Sequence, residues 1–140
     1  MLAGFNTQLV LKVDWADLDL FGHVNNVIFF KYIQSARVNY CESIGLTSLD
    51  EKDKLSFIVA AINCNFKSPL RYPNTIIVFS KIEWIKNSSF QLTHIIVDQN
   101  KCVVAEASDV IVVFDYVKKS KANITSSIKE QMELLENRKL

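Results

Sequence analysis

Residues 24–44 read VNNVIFFKYIQSARVNYCESI, and the way this run folds decides the architecture around it. It is long enough for about six turns of α-helix. Val24, Val27, Ile28, Phe29, Phe30, Tyr32, Ile33, Ala36, Val38, Tyr40, Cys41 and Ile44 go almost all the way round such a helix. A helix apolar on every side belongs in the middle of a protein rather than on its surface. The same run holds Asn25, Asn26, Lys31, Gln34, Arg37 and Glu42, too many polar groups for a membrane span. Gly45 supplies a left-handed stop.

Working outward, residues 7–15 (TQLVLKVDW) alternate partly and predict a strand. From residue 57 the period becomes two, and in AINCNFK the apolar Ile62, Cys64 and Phe66 alternate with Asn63, Asn65 and Lys67. Breakers at Ser68, Pro69 and Pro73-Asn74 lead into TIIVFSKIEWI (75–85). FQLTHIIVD (90–98) and CVVAEASDVIVVFDY (102–116) follow, joined by the turns KNSS and QNK, which predicts an antiparallel meander. The charged tail from Val117 carries capping-box spacing at Ser127 and Glu130, with Ile128, Met132 and Leu135 on one helical face. A short terminal helix, docked in part or frayed, is expected there.

The sum is an α+β chain, one domain over residues 1–140, with a long central helix wrapped by an antiparallel sheet. A sheet on one side leaves the helix needing further cover, and a second copy of the chain is the simplest cover, so a homodimer is expected.

Composition narrows the function. With 49% hydrophobic residues, 140 residues suffice for a core. Lys plus Arg (16) balances Asp plus Glu (15) to a net charge of +1, so no basic field supports nucleic-acid binding. The N-terminus shows no basic region followed by an apolar one. Cys41, Cys64 and Cys102 are odd in number and widely spaced, which suits reduced thiols in a cytoplasmic protein and offers neither a zinc framework nor a disulfide scaffold.

The polar chemistry is concentrated just before the helix, in DWADLDLFGHVNN (14–26). Three readings apply. Aspartate, asparagine and Gly22 are turn formers, and Asn25 suits a helix N-cap. Asp14, Asp17, Asp19 and His23 are metal-ligand types, but a calcium loop starting at Asp17 would need a glutamate where Ile28 stands. The third reading is catalytic: an aspartate beside a helix N-terminus stays ionised, and the free amides there can polarise a carbonyl and hold its oxyanion.

DLDLFGHVNNVIFFKYIQSAR resembles the D-x-D-x-x-G-H-V-N-N…Y…E-x-A-R signature of hotdog-fold acyl-CoA thioesterases of the 4-hydroxybenzoyl-CoA thioesterase family. FKSPLRYPNTIIV is similar to that family's P-x-R-Y-x-D segment, and the correspondence spans about residues 7–117. The resemblance implies a hotdog fold that dimerises into a continuous sheet, sometimes as a dimer of dimers. It implies that Asp19, the second Asp of D-x-D, is catalytic, and that the backbone amide of Asn26 binds the thioester carbonyl. His23 would shape the loop or meet the partner subunit. Asp17 would be structural, and the Asn25 and Asn26 side chains would cap the helix or touch the acyl carbonyl. Gln34 and Asn74 depart from the signature's Glu and Asp.

An acyl-CoA pairs an apolar chain with a phosphorylated nucleotide. Phe21, Val27, Phe30 and Phe57 are channel candidates; Lys67, Arg71, Lys86, Lys118, Lys119 and Lys121 are phosphate candidates, with Arg71 and Lys86 foremost. No cofactor or metal is called for, coenzyme A being part of the substrate. The expected activity is hydrolysis of an acyl-CoA to carboxylic acid and CoA. A non-catalytic acyl-CoA-binding module and a thioester hydratase/dehydratase stay open as alternatives, the latter requiring a placed His and acid.

Overall fold

The computed structural model describes residues 2–46 and 55–140. In chain order come β1 (Thr7–Lys12), a 3-10 turn (Trp15–Asp17), α1 (Asn26–Ser43), β2 (Leu55–Phe66), β3 (Thr75–Ile85), β4 (Ser89–Val97), β5 (Val103–Asp115), β6 (Ser120–Lys121) and α2 (Ser126–Glu136). The strands form one antiparallel sheet ordered β1-β3-β4-β5-β2, with β6 against β5, and α1 lies across β1, β3 and β4. This is the long helix on an antiparallel sheet expected of the α+β pattern, and the hotdog fold that the resemblance implied.

The first strand is shorter than its alternation suggested. It ends at Lys12 because the Asp14 carboxylate accepts the Ala16 N–H at 2.9 Å and starts the 3-10 turn. Val24, expected inside the helix, is still held by the neighbouring segment: its N–H donates to the Leu70 carbonyl at 2.8 Å. Asn25 is the N-cap, and Gly45, at φ +76°, follows the helix end as expected.

Within one chain α1 is not covered on all sides. Phe29, Tyr32, Ile33, Ala36, Arg37, Tyr40 and Cys41 are buried, whereas Val27 and Phe30 remain 70% and 38% exposed. Period two sorts the sheet. Ile76, Val78, Ser80 and Ile82 of β3, and Phe90, Leu92, His94 and Ile96 of β4, are all buried at alternate positions. Most join α1 in two apolar clusters, while Phe79 and Val97 face the other way and pack with Phe5. β2 is an edge: it pairs with β5 on one side, and among the described residues nothing pairs with the other.

The terminal helix is docked rather than frayed, and its cap is Thr125 rather than Ser127. Thr125 Oγ1 accepts the Ile128 N–H at 3.2 Å. Ile128 and Met132 enter the cluster around Tyr40 and Cys41. The Glu136 carboxylate accepts the Tyr40 hydroxyl at 2.9 Å and the Ile82 N–H at 3.1 Å, where β3 is bulged. An amide released from the ladder by the bulge thus finds a charged acceptor instead of being buried alone.

Candidate active site

The loop before α1 is built around Asp19. Oδ1 of its carboxylate accepts the Phe21 N–H at 2.9 Å and the His23 N–H at 3.1 Å. Its own N–H donates to the His23 carbonyl at 2.7 Å, and its carbonyl accepts the Gly22 N–H at 3.1 Å. Gly22 makes this closure feasible, since its φ of +78° lies where side-chain-bearing residues are strained. The second oxygen, Oδ2, accepts no hydrogen bond among the described residues. Asp19 is therefore fixed through one oxygen and offers the other to solvent.

The helix start is arranged in a matching way. Asn25 Oδ1 accepts the Val27 N–H at 3.0 Å, and the Asn25 carbonyl accepts the Ile28 N–H at 2.9 Å. Among the described residues the intervening Asn26 N–H has no acceptor, one of the orphan donors every helix start leaves. Asp17 contributes through its backbone: its carbonyl takes the Asn25 N–H at 3.0 Å. The loop is clipped to the segment before β3 by bridges of His23 with Arg71 and of Val24 with Leu70.

These pieces share one open cavity of about 280 Å³, lined by Asp19, His23, Val24 and Asn26 from the loop and helix, and by Phe29, Phe66, Lys67, Ser68, Pro69 and Leu70. The lining is mixed: Asp19, His23, Asn26, Lys67 and Ser68 are polar, and Val24, Phe29, Phe66, Pro69 and Leu70 are apolar. Behind Phe29, which its ring meets edge-on at 6.0 Å, the Tyr32 phenol is pushed up to about 12, first by burial and then by the charges of Asp17 and Asp14. It keeps its proton at neutral pH.

The other sequence candidates are dispersed. Arg71 is exposed beside His23 and Lys67 lines the cavity. Lys86 sits past the far end of β3, where Nζ lies 4.7 Å from the centre of the Trp84 ring and the lysine lines a different cavity. Eleven residues of strand separate it from Asn74, roughly 35 Å, so a single chain does not bring it to Asp19. Lys118, Lys119 and Lys121 lie in the β5–β6 region. Phe57 packs in the Tyr40 cluster instead of a channel. Asn74 braces a turn, its Oδ1 accepting the Gln99 N–H at 3.0 Å, and Gln34 is exposed.

A second polar group was not legible beforehand. Ser80 Oγ lies 2.7 Å from His94 Nδ1, His94 Nε2 lies 3.1 Å from Asp109 Oδ1, and Arg37 Nε donates to Asp109 Oδ2 at 2.7 Å. The composition is that of a serine-hydrolase triad, with the two ring nitrogens exchanged. Its four members are between 0 and 5% exposed, so no substrate meets the Ser80 hydroxyl. With Nε2–H donating to the Asp109 carboxylate, Nδ1 is left to accept the Ser80 hydroxyl. His94, the strand histidine, is thus fully engaged and sealed from any thioester.

Comparison with known proteins bears on the fold and the cavity together. Residues 13–132 match the family described as the thioesterase-like superfamily. The chain is 24% identical over 127 residues to the long-chain acyl-CoA thioesterase FadM of Escherichia coli (strain K12), covering 90% of this chain and 96% of FadM. It is 30% identical over 127 residues to the chloroplastic acyl-acyl carrier protein thioesterase ATL3 of Arabidopsis thaliana, covering 89% of this chain and 66% of that protein. A thioesterase from Thermus thermophilus, solved with coenzyme A and Zn, superposes with a TM-score of 0.84 at 27% identity, over 99% of this chain and 100% of the other. The chain belongs to the thioesterase-like superfamily, in its hotdog form, a family of thioester hydrolases.

Proposed function

We propose that the protein hydrolyses an acyl-CoA to the free carboxylic acid and CoA, with Asp19 and the Asn26 amide as its catalytic groups. The observation that carries this reading is the half-tethered carboxylate in the same cavity as an unpaired helix-start N–H. The thioester carbonyl oxygen would sit at the Asn26 N–H, which gains strength as charge develops on that oxygen. Two routes use the same atoms. In one, Asp19 Oδ2 attacks the carbonyl carbon, CoA leaves as thiolate and takes a proton from water, and a second water cleaves the mixed anhydride. In the other, Oδ2 removes a proton from the attacking water and returns it to the departing thiolate.

His23 and Asn25 support the site by shaping the loop and capping the helix, and Arg71 and Lys67 are the cations near it that are candidates to meet the substrate's phosphates. The acyl-CoA preference and the place within the 4-hydroxybenzoyl-CoA branch rest on the D-x-D-x-x-G-H-V-N-N residues and on the acyl-CoA thioesterase FadM among the relatives. A homodimer joined through β2 is favoured by its twelve-residue edge, unpaired on one side among the described residues, and by the exposed Ile58, Val59 and Ile62 that it carries. An exposed edge of that length is a template for pairing.

The test is CoA release from short, medium, long-chain and aromatic acyl-CoAs by the wild type and by Asp19→Asn. Turnover that falls by about 10²-fold or more in the variant supports the assignment. Equal turnover in the two proteins rejects Asp19 as catalytic.

A further inference from the structure

Resting on the join through β2 and not on the hydrolysis, the geometry points to a self-complementary edge: two copies pair β2 antiparallel with the two-fold axis at Asn63, in a register that uses every edge residue Tyr116 leaves free. Which residues face the edge follows from β5. The Val113 N–H donates to the Ser88 carbonyl and the Val113 carbonyl accepts the Ala122 N–H, so Val113 turns away from β2. Phe57 lies directly opposite Val113 and therefore turns its own N–H and carbonyl outward, since opposed residues in an antiparallel ladder exchange both bonds or neither. At the other end the Lys67 N–H donates to the Val104 carbonyl, so Lys67 faces β5 and Phe66 faces out. Alternation from the two ends meets at the bulge between Val59 and Ala61, where Ala60 is the extra residue. The outward set is Phe57, Val59, Ile62, Cys64 and Phe66.

Tyr116 closes the first of these: its hydroxyl donates to the Phe57 carbonyl at 2.9 Å. The remaining Val59, Ile62, Cys64 and Phe66 are spaced three, two and two residues apart. A two-fold axis perpendicular to the sheet keeps both helices on one side and runs the partner strand antiparallel. With that axis at Asn63, Ile62 meets Cys64 of the partner subunit, Val59 meets the partner's Phe66, and each bulge lies opposite a single residue. Both pairs recur by symmetry, and each exchanges two hydrogen bonds. Phe57 then falls opposite the partner's Ser68, an N–H already spent on Val104, so the ladder stops where the Tyr116 cap begins. Moving the axis to Cys64 leaves Val59 past the end of the partner strand, and moving it to Ile62 sets Cys64 against the bulge. The Asn63 register also lays the partner's Val59 against Phe66, so the end of β2 that lines the cavity is covered by the second subunit.

The experiment is disulfide trapping in the full chain, with Cys102→Ala throughout and the buried Cys41 kept. Asn63→Cys and Ile62→Cys are each made together with Cys64→Ala, and Cys64 is tested as it stands. Sedimentation before oxidation gives the assembly, and non-reducing electrophoresis after oxidised glutathione gives the covalent dimer. On the axis, the two Asn63 positions face each other in a non-hydrogen-bonded pair with Cα atoms about 4.5 Å apart, within disulfide reach. Ile62 and Cys64 lie roughly 8–9 Å from their own copies, beyond that reach. Covalent dimer is therefore expected to accumulate at Asn63→Cys and to stay near background at the other two. Fastest trapping at Cys64 or at Ile62→Cys moves the axis and overturns the register. A dimer that traps at none of the three, or a monomer, overturns the join through β2 as well. Turnover of acyl-CoA by the same proteins decides the hydrolase reading separately.

Discussion

Two parts of this molecule bring a carboxylate and a histidine together, and they do opposite things with them. At Asp19 both groups lie in an open loop, and the carboxylate is held by backbone amides through one oxygen only. At Ser80, His94, Asp109 and Arg37 the groups bond side chain to side chain in a sealed interior. The second cluster has the composition associated with hydrolysis, and the first looks like an ordinary turn. Access reverses that impression: catalysis requires a group with an atom facing the substrate, and the buried cluster, 0–5% exposed, faces none. What it does is hold α1 to the sheet. Arg37 crosses from the helix to Asp109 on β5, and the Coulomb attraction is strong where water is excluded.

The largest effect should come from breaking the sealed cluster. Asp109→Ala leaves the Arg37 charge and the His94 ring without their acceptor. Urea denaturation should show a loss of about 3–5 kcal/mol, with turnover falling only as far as the folded fraction does. The open site should behave the other way: Asp19→Asn is expected to lose activity while unfolding within about 0.5 kcal/mol of wild type, as exposed substitutions usually do.

Ser80→Ala separates the two clusters most directly. Removing the hydroxyl leaves His94 Nδ1 without its donor, for a cost of about 1–3 kcal/mol in stability, and kcat at saturating substrate should match wild type. A fall in kcat of a hundredfold with stability preserved would make the buried chain catalytic and refute the contrast. The smallest effect is expected at Asn25→Ala, where loss of the cap costs about 1 kcal/mol and frees the Val27 N–H next to the Asn26 amide proposed as oxyanion donor. Turnover should drop modestly, since the Asn26 amide stays in place.

The site was legible to the extent that its contacts are local. Asp19 bonds residues two and four positions on, and Asn25 caps a residue two positions on, so the order of residue types in DLDLFGHVNN encodes the geometry. The alternation of β3 and β4 was legible for the same reason. The helix was read correctly as an element, and Val27 and Phe30, which a single chain leaves exposed, are on the part for which a second copy was expected; an apolar residue facing a sheet and one awaiting a partner are written with the same letter. Ser127 mimicked a cap because S-x-x-E is satisfied there by spacing, although Thr125 has the geometry.

What the sequence by itself determined was therefore the α+β class, the strand succession, the turn at Gly22 and the pairing of an aspartate with a helix start. Only the tertiary structure decided which polar residues are open to a substrate and which are sealed inside the fold. Ser80 and His94 are 14 residues apart, His94 and Asp109 are 15, and Arg37 and Asp109 are 72. The cavity likewise needs Phe66 to reach Phe29 across the chain, and Lys86 is kept away by the length of β3. Such contacts arise when elements pack, and packing depends on the register and face of every strand between them, which no local run of residues specifies.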